Sequence, residues 1–321
     1  MSLTSIPSSF VCSLSYLSSI SVSGEQTIDY LQGQLTCNMK QLQEGHALRY
    51  CHCDFKGKMW ANGLVFTAEE HTQLVCCAEA IAHSIAELKK YAVFSKVTIE
   101  QPQGPQFFSG WTGVEAAECL AKHCGKLPHD PLSVVALPNQ SGWILNLSAG
   151  AYERYLVCST DNSLVSTNDV SDLLVPEACW QATELMLGIP WITANTQQEY
   201  IPQMLNMQCL DAIDFKKGCY MGQEVVARTK YLGKNKRATY LLTSPTSESN
   251  SIRINTGDML EKSVGDNWRR GGTILNAVNV SGRWYLLAVL SNDSVVGERL
   301  RLKAHPEEVF EICPLPYPID N

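Results

Sequence analysis

Residues 216–224 read Lys216-Lys217-Gly218-Cys219-Tyr220-Met221-Gly222-Gln223-Glu224, a single cysteine held between two glycines beside two lysines. The run that follows, Glu224-Val225-Val226-Ala227-Arg228, reads as a helix that begins just past the second glycine. Gly218 and Gly222 lack a Cβ and permit a backbone approach that other residues resist. A thiol ahead of a helix and beside ammonium groups is favoured as its thiolate. Among 13 cysteines, Cys219 is the one placed for chemistry or ligation.

That stretch resembles the signature of the YgfZ family, folate-binding relatives of the glycine-cleavage aminomethyltransferase, or T-protein. The likeness extends through Tyr200-Ile201-Pro202-Gln203 upstream and Gly233-Lys234-Asn235-Lys236-Arg237 downstream. It recurs in order at Tyr30-Leu31-Gln32-Gly33-Gln34-Leu35-Thr36 and at His52-Cys53-Asp54-Phe55-Lys56-Gly57-Lys58-Met59-Trp60. It continues at Leu88-Lys89-Lys90-Tyr91-Ala92-Val93-Phe94-Ser95-Lys96-Val97 and reaches Pro314-Leu315-Pro316-Tyr317. The resemblance implies an α+β fold of two interleaved α/β subdomains around a central folate pocket, closed by a C-terminal β-barrel. It implies tetrahydrofolate or another folate derivative as cofactor. It also implies a role in maintaining iron–sulfur enzymes, among them one that thiolates tRNA.

Composition sets the wider bounds. A chain of 321 residues is long enough for two or three packed units. With 45% hydrophobic and 18% charged residues it matches ordinary globular usage, and no apolar run approaches the roughly 20 residues of a membrane span. The serine-rich first 23 residues contain no lysine or arginine, so the charged start of a secretory signal is missing and a cytoplasmic location is expected. The odd cysteine count and the length argue against a disulfide framework. No Cys-x-x-Cys pair occurs, and neither Cys51-His52-Cys53, Cys76-Cys77 nor the Cys119, His123 and Cys124 group completes a tetrahedral set, so no resident metal is expected. Most of these thiols read as small buried hydrophobes.

The net charge of −7 is uneven. Residues 216–237 hold seven basic side chains against Glu224 alone, a net +6, which leaves −13 on the rest. Such a segment suits an anionic partner at one place, or simply a solvated cationic surface.

Along the chain, Ile20 to Val22 reads as a strand and Gln26 to Leu35 as a helix with Ile28, Leu31 and Leu35 on one face. Met59 to Thr67 and Gln73 to Cys77 read as paired strands joined by Glu69-Glu70-His71-Thr72. A helix with Ala78, Ile81, Ala82, Ile85, Leu88 and Ala92 inward follows, and then strand alternation over Val93 to Ile99. Gly104 to Gly113 connects into another strand and helix. Trp143 to Leu147 and Arg154 to Cys158 form a further strand pair around Gly150. Pro176 starts a helix that Gly188-Ile189-Pro190 ends. Beyond Arg237 come short β segments, with Ser281-Gly282 as a two-residue hairpin turn between Gly272–Val280 and Arg283–Leu290. The expected division is therefore 1–237 for the folate-binding body and 238–321 for a β-barrel.

Three roles are open to Cys219: a nucleophile or redox thiol, a contact to a cluster carried by a partner, or a structural residue. No histidine lies near it in sequence, which weakens a Cys-His hydrolase. Lys216, Lys217, Lys230, Lys234, Lys236 and Arg237 could receive phosphate or carboxylate groups such as folate's glutamate tail, and Tyr231 could stack on a base or pterin. The resemblance offers Trp180, Lys217, Tyr220, Gln223, Glu224 and Arg228 as cofactor-binding residues. A second family tryptophan has no counterpart here; its place falls at Leu17, beside Tyr16. The aspartate pair of the T-protein falls at Ala61 and Asn62, which cannot accept a proton as a carboxylate does, while Asp54 lies on the other side of the turn. The expected function is a folate-binding accessory protein rather than an aminomethyltransferase. A one-carbon transferase with a relocated base and a direct tRNA-binding module are the alternatives.

Overall fold

The computed structural model describes residues 5–68, 70–138, 141–150, 152–233, 235–246, 252–265 and 267–319. Glu69 of the hairpin, Lys234 of the basic segment and the start of the serine-rich stretch fall outside the described residues.

The first strand, β1 (Phe10–Ser13), does not pair with its chain neighbour β2 (Leu17–Ser23). After β2 come helix α1 (Thr27–Gln34), the meander β3 (Ala47–Cys53), β4 (Met59–Ala68) and β5 (His71–Cys77), helix α2 (Ala78–Tyr91) and the short β6 (Thr98–Glu100). These strands form one sheet of order β3-β4-β5-β2-β6. The chain then returns to β1 through β7 (Phe107–Thr112), followed by α3 (Val114–Cys124), β8 (Val134–Ala136), β9 (Gly142–Asn146) and β10 (Arg154–Ser159). The second sheet has the order β1-β7-β10-β9-β8. Two sheets with their sequence segments interleaved are thus covered by α2 and α3, an α+β body as expected.

The expected elements mostly hold, with three corrections. On α1 the buried side chains are Thr27, Tyr30, Leu31 and Gln34, whereas Ile28 is exposed. Tyr30 takes the inward place because its hydroxyl donates to Leu88 O at 2.5 Å. On α2 the inward face is Ala80, Ile81, Ser84 and Leu88, rotated from the apolar stripe because Ser84 Oγ meets buried His52 Nδ1 at 2.9 Å. The strand expected over Val93 to Ile99 shrinks to Thr98–Glu100, and Val93 and Phe94 stand in solvent. A turn closed by Ser95 N donating to Ala92 O interrupts the ladder there.

Helix α4 (Glu177–Met186) starts after Pro176, whose extended backbone forms its N-cap, and stops before Gly188 at φ +67°. Helix α5 (Gln223–Tyr231) follows the glycine-flanked cysteine. Beyond it six strands close a barrel: β11 (Arg237–Thr243), β12 (Met259–Val264), β13 (Asn267–Val280), β14 (Arg283–Ser291), β15 (Arg299–Leu302) and β16 (Val309–Cys313), in the order β11-β14-β13-β12-β15-β16. The β13–β14 hairpin turns on Ser281 and Gly282, both left-handed at φ +53° and +81°, as a primed turn demands. Closure leaves no free sheet edge, and Leu242, Leu260, Ile274 and Phe310 fill the interior.

The barrel is seated on the body at two places. Leu275 and Val289 pack with Met59, Leu205 and Val226 of α5. Val278 and Leu287 join the core that holds Trp180 and Leu185 of α4. Full burial of Val226 contributes roughly 2 kcal/mol at this junction. Helices α4 and α5, which carry the candidate site residues, are thereby held between body and barrel.

Candidate functional site

The start of α5 rests on the turn that joins β3 to β4. Gly222, the N-cap at φ +81°, approaches so closely that a Cβ there would lie 2.6 Å from Asp54 O and 2.8 Å from Gly57 Cα. Asp54 shapes that turn by accepting the Lys56 and Lys58 amides, both at 2.8 Å. The close approach expected of Gly218 is not found, since a Cβ there would meet nothing within 4 Å.

This arrangement leaves Cys219 in solvent. No disulfide joins the described cysteines; Cys219 is the one that is exposed, and eight are buried. Burial pushes the thiols of Cys12, Cys37, Cys76 and Cys158 up to about 12, so they stay protonated and inert at neutral pH. No group of three or more metal-ligating side chains exists among the described residues; Cys119, His123 and Cys124 lie on α3, where His123 is 3.8 Å from the Asp169 carboxylate.

Lys217 does not face an anion. It is buried, and its ammonium donates to the carbonyls of Gln32, Leu35 and Cys37 at 2.6–2.7 Å, closing the C-terminal end of α1. It also lies 4.9 Å from the ring centre of Tyr220, itself buried. Burial pulls the Lys217 ammonium down to about 8, while the Cys37 thiol and the Asp214 carboxylate act in the opposite direction. All three of its protons are spent, which makes it a brace for the loop that carries Cys219. Glu224, Arg228, Lys216, Lys236, Arg237 and Tyr231 are exposed or nearly so, and Gln223 is half-buried in the first turn of α5. Lys230 folds its ammonium over Phe215, 3.8 Å from the ring centre.

Trp180 is brought to a different place, the core beneath α4. It is wholly buried, with the guanidinium of Arg154 over its ring at 3.9 Å. Gly110 of β7 packs so closely that any Cβ would run into the indole. One turn on from Trp180, Glu184 accepts from Tyr16 Oη at 2.5 Å and Trp191 Nε1 at 2.6 Å, and pairs with Arg154 Nη2 at 3.6 Å. Burial raises the carboxyl of Glu184, and Arg154 counters by lowering it; burial likewise lowers the Arg154 guanidinium, which Glu184 opposes. Arg154 Nη2 is engaged by Glu184, whereas Arg154 Nε and Nη1 and the indole N–H of Trp180 have no hydrogen-bond partner among the described residues. A buried guanidinium with donors unused favours a group rich in acceptor oxygens or nitrogens.

The departures noted at the level of residues acquire a geometry. Leu17 is buried at the start of β2, and the adjoining Tyr16 supplies the aromatic ring, edge-on to Trp191 at 5.8 Å. Asn62 donates from Nδ2 to Pro190 O and accepts from Ile192 N through Oδ1, at 2.8 and 2.9 Å. An aspartate could not make the first of these bonds. Arg154 and Glu184 were not anticipated. Their signal was a charge inside the apolar strand 154–158 and another four residues after Trp180 on a helix, places where an ionised group is rare unless paired.

The comparisons with known proteins agree with this architecture. Residues 235–305 match the model of the YgfZ β-barrel domain. The chain is 35% identical to the tRNA-modifying protein YgfZ of Colwellia psychrerythraea, covering 98% of this chain and 95% of that one. It is 36% identical to the protein of the same name from Yersinia enterocolitica, covering 93% of this chain and 89% of the other. Among solved structures, glycine cleavage system aminomethyltransferase T from Bartonella henselae superposes with a TM-score of 0.70 at 15% identity, over 96% of this chain and 86% of that one, which shows a shared fold. With identity of this degree along almost its whole length, the chain belongs to the YgfZ family.

Proposed function

We propose that this chain is a folate-binding accessory protein of the cytoplasm that supports iron–sulfur enzymes and, through them, the thiolation of tRNA. The observation that carries the folate reading is the buried Arg154 guanidinium, paired with Glu184 through Nη2 and with Nε and Nη1 lacking hydrogen-bond partners, beside the unpartnered indole N–H of Trp180. Carbonyl and carboxylate oxygens and ring nitrogens of tetrahydrofolate would accept from these donors, and the cofactor would supply one-carbon or redox chemistry. Glu184, held by Tyr16 and Trp191, keeps the guanidinium in place. The body, residues 1–237, would hold the cofactor and the barrel, 238–321, would brace α4 and α5. The printed name of the relatives, tRNA-modifying protein, supports the tRNA end of the reading.

Cys219 would serve as the outward thiol, a reactive group or a contact to a partner's cluster, presented by the Lys217 brace. Aminomethyl transfer is no part of the proposal, because both polar ends of Asn62 are already engaged. The test is titration with tetrahydrofolate followed by tryptophan quenching, on the wild type and on Arg154→Lys and Trp180→Phe. Binding by the wild type and at least ten-fold weaker binding by Arg154→Lys are expected. Failure of the wild type to bind sinks the folate reading. In cells lacking the chain, Cys219→Ala is expected to leave iron–sulfur enzyme activity unrestored; full restoration would return Cys219 to a structural role.

A further inference from the structure

A polar cavity lies away from Trp180, where the loop 203–215, helix α5 and the start of the barrel meet. Its volume is about 530 Å³, within the range of small-molecule sites. Its lining departs from an ordinary surface cleft in holding buried acceptor oxygens that have no hydrogen-bond partner among the described residues. Gln203 is 5% exposed, and its orientation is set because Nε2 donates to Val226 O at 2.6 Å. Its Oε1 therefore remains as a buried acceptor with no hydrogen-bond partner among the described residues. Gln208 Oε1 is buried and unpartnered in the same way, and the Asp211 carboxylate adds a third acceptor group to the lining. An unpaired buried amide oxygen costs free energy unless a donor meets it. Asn206 cannot be that donor, since it is spent on the Thr239 backbone in both directions.

Two further features narrow the donor's chemistry. The walls between these acceptors are flat or apolar, with Ile213, Phe215 and Ala238 among them. A cationic run adjoins the lining in sequence. Lys230 lines the cavity, and Lys236 and Arg237, which fall between its lining residues Asn235 and Ala238, open with Arg270 into a separate cleft of about 280 Å³. A flat ring that presents several N–H donors on one edge, and carries an anion, satisfies both sides at once. Guanine offers a ring N–H and an adjacent amino group on a single edge. Adenine offers one amino group beside a ring acceptor, which would face the glutamine oxygens unfavourably.

We propose that this cavity binds the guanine base of a nucleotide, with Gln203, Gln208 and Asp211 accepting from the base edge and the phosphate lying toward Lys236, Arg237 and Arg270. The same chemistry is available from a free guanine nucleotide or from an unpaired guanosine of an RNA strand. The site goes beyond the folate reading and does not use Trp180, Arg154 or Cys219.

The test is calorimetric titration of the intact chain with guanosine monophosphate, adenosine monophosphate, guanosine and tetrahydrofolate, together with single-stranded hexaribonucleotides carrying one G or one A. Guanosine monophosphate is expected to bind at least ten-fold more tightly than adenosine monophosphate. Gln208→Leu should abolish that preference while leaving the thermal midpoint and tetrahydrofolate binding unchanged. Arg270→Glu should weaken the monophosphate but not guanosine. Binding of the G-bearing strand alone, with the same dependence on Gln208, assigns the site to RNA and supports the proposal. Equal affinity for the two nucleotides and the two strands, or no binding of any of them, overturns it. So does displacement of the nucleotide by tetrahydrofolate, which would make the cavity folate's own. The wild-type G-to-A ratio decides the matter even if Gln208→Leu does not fold. Loss of tetrahydrofolate binding with guanine binding intact would break the folate reading and leave this one standing.

Discussion

Two regions of this molecule hold cations beside aromatic rings, and they use them in opposite ways. Under α4, Arg154 lies on Trp180 in complete burial, tied to Glu184, with donors left unused. Around Cys219 the chain is exposed, and its one buried cation, Lys217, has every proton committed to a carbonyl. The first is a polar core with donors left over, which a bound acceptor group would stabilise on the proposed function. The second is a finished brace that presents an unfinished surface, a solitary thiol. On the proposed function, the first region would hold folate and the second would meet a partner protein.

The comparison can be broken most severely in the core. Replacing Arg154 by Met or Glu184 by Leu leaves an uncompensated buried charge and should cost roughly 3–5 kcal/mol in urea unfolding, with the double variant recovering much of it. Single losses below about 1 kcal/mol would show the pair to be hydrated, not buried. Lys217→Met strands the carbonyls of residues 32, 35 and 37 and should cost roughly 3 kcal/mol, since an unpaired buried acceptor costs roughly 1–3 kcal/mol. A silent Lys217→Met would mean that water replaces the ammonium and the brace is dispensable.

His52 sharpens the contrast through pH. Burial, with His83 as a lesser cause, lowers its pKa from 6.5 to about 3, so it is neutral in the folded chain. Below pH 6.5 the unfolded chain binds a proton that the folded chain refuses, and stability falls as pH drops toward 3. Between pH 6.5 and 5 this amounts to roughly 2 kcal/mol. The slope of unfolding free energy against pH should flatten in His52→Asn; an unchanged slope would assign the acid limb to other groups. The smallest effect belongs to Cys219→Ser, which should alter stability by no more than about 0.5 kcal/mol because the side chain is exposed. Iodoacetamide under native conditions should label Cys219 well before any buried cysteine, and equal labelling of Cys37 or Cys76, read by peptide mass, would contradict the burial pattern.

Much of the fold was readable from residue patterns. The Gly272–Val280 and Arg283–Leu290 segments around Ser281-Gly282 became a hairpin of the barrel, because turn chemistry and alternation are local. The Pro176-to-Gly188 helix held for the same reason. The misses at Ile28, on α2 and at Val93–Ile99 share another cause: a polar contact from a distant element, Leu88 O or His52, or a local turn decided which face went inward. At the site, the pattern around Cys219 marked the exposed thiol, yet it offered Lys217 to a ligand when the folded chain spends it on α1. Trp180 was singled out, but its partners Arg154 and Glu184 were not, since they meet only when β10 and α4 pack together.

Residues 216–224 therefore specified a loop, a helix start and an available cysteine, because glycine spacing and helix capping act over a few residues. What the lysine beside that cysteine does, and which charges gather around Trp180, was settled only by tertiary packing. Desolvation and hydrogen-bond satisfaction depend on groups up to 185 residues away in the chain, and no short stretch contains them.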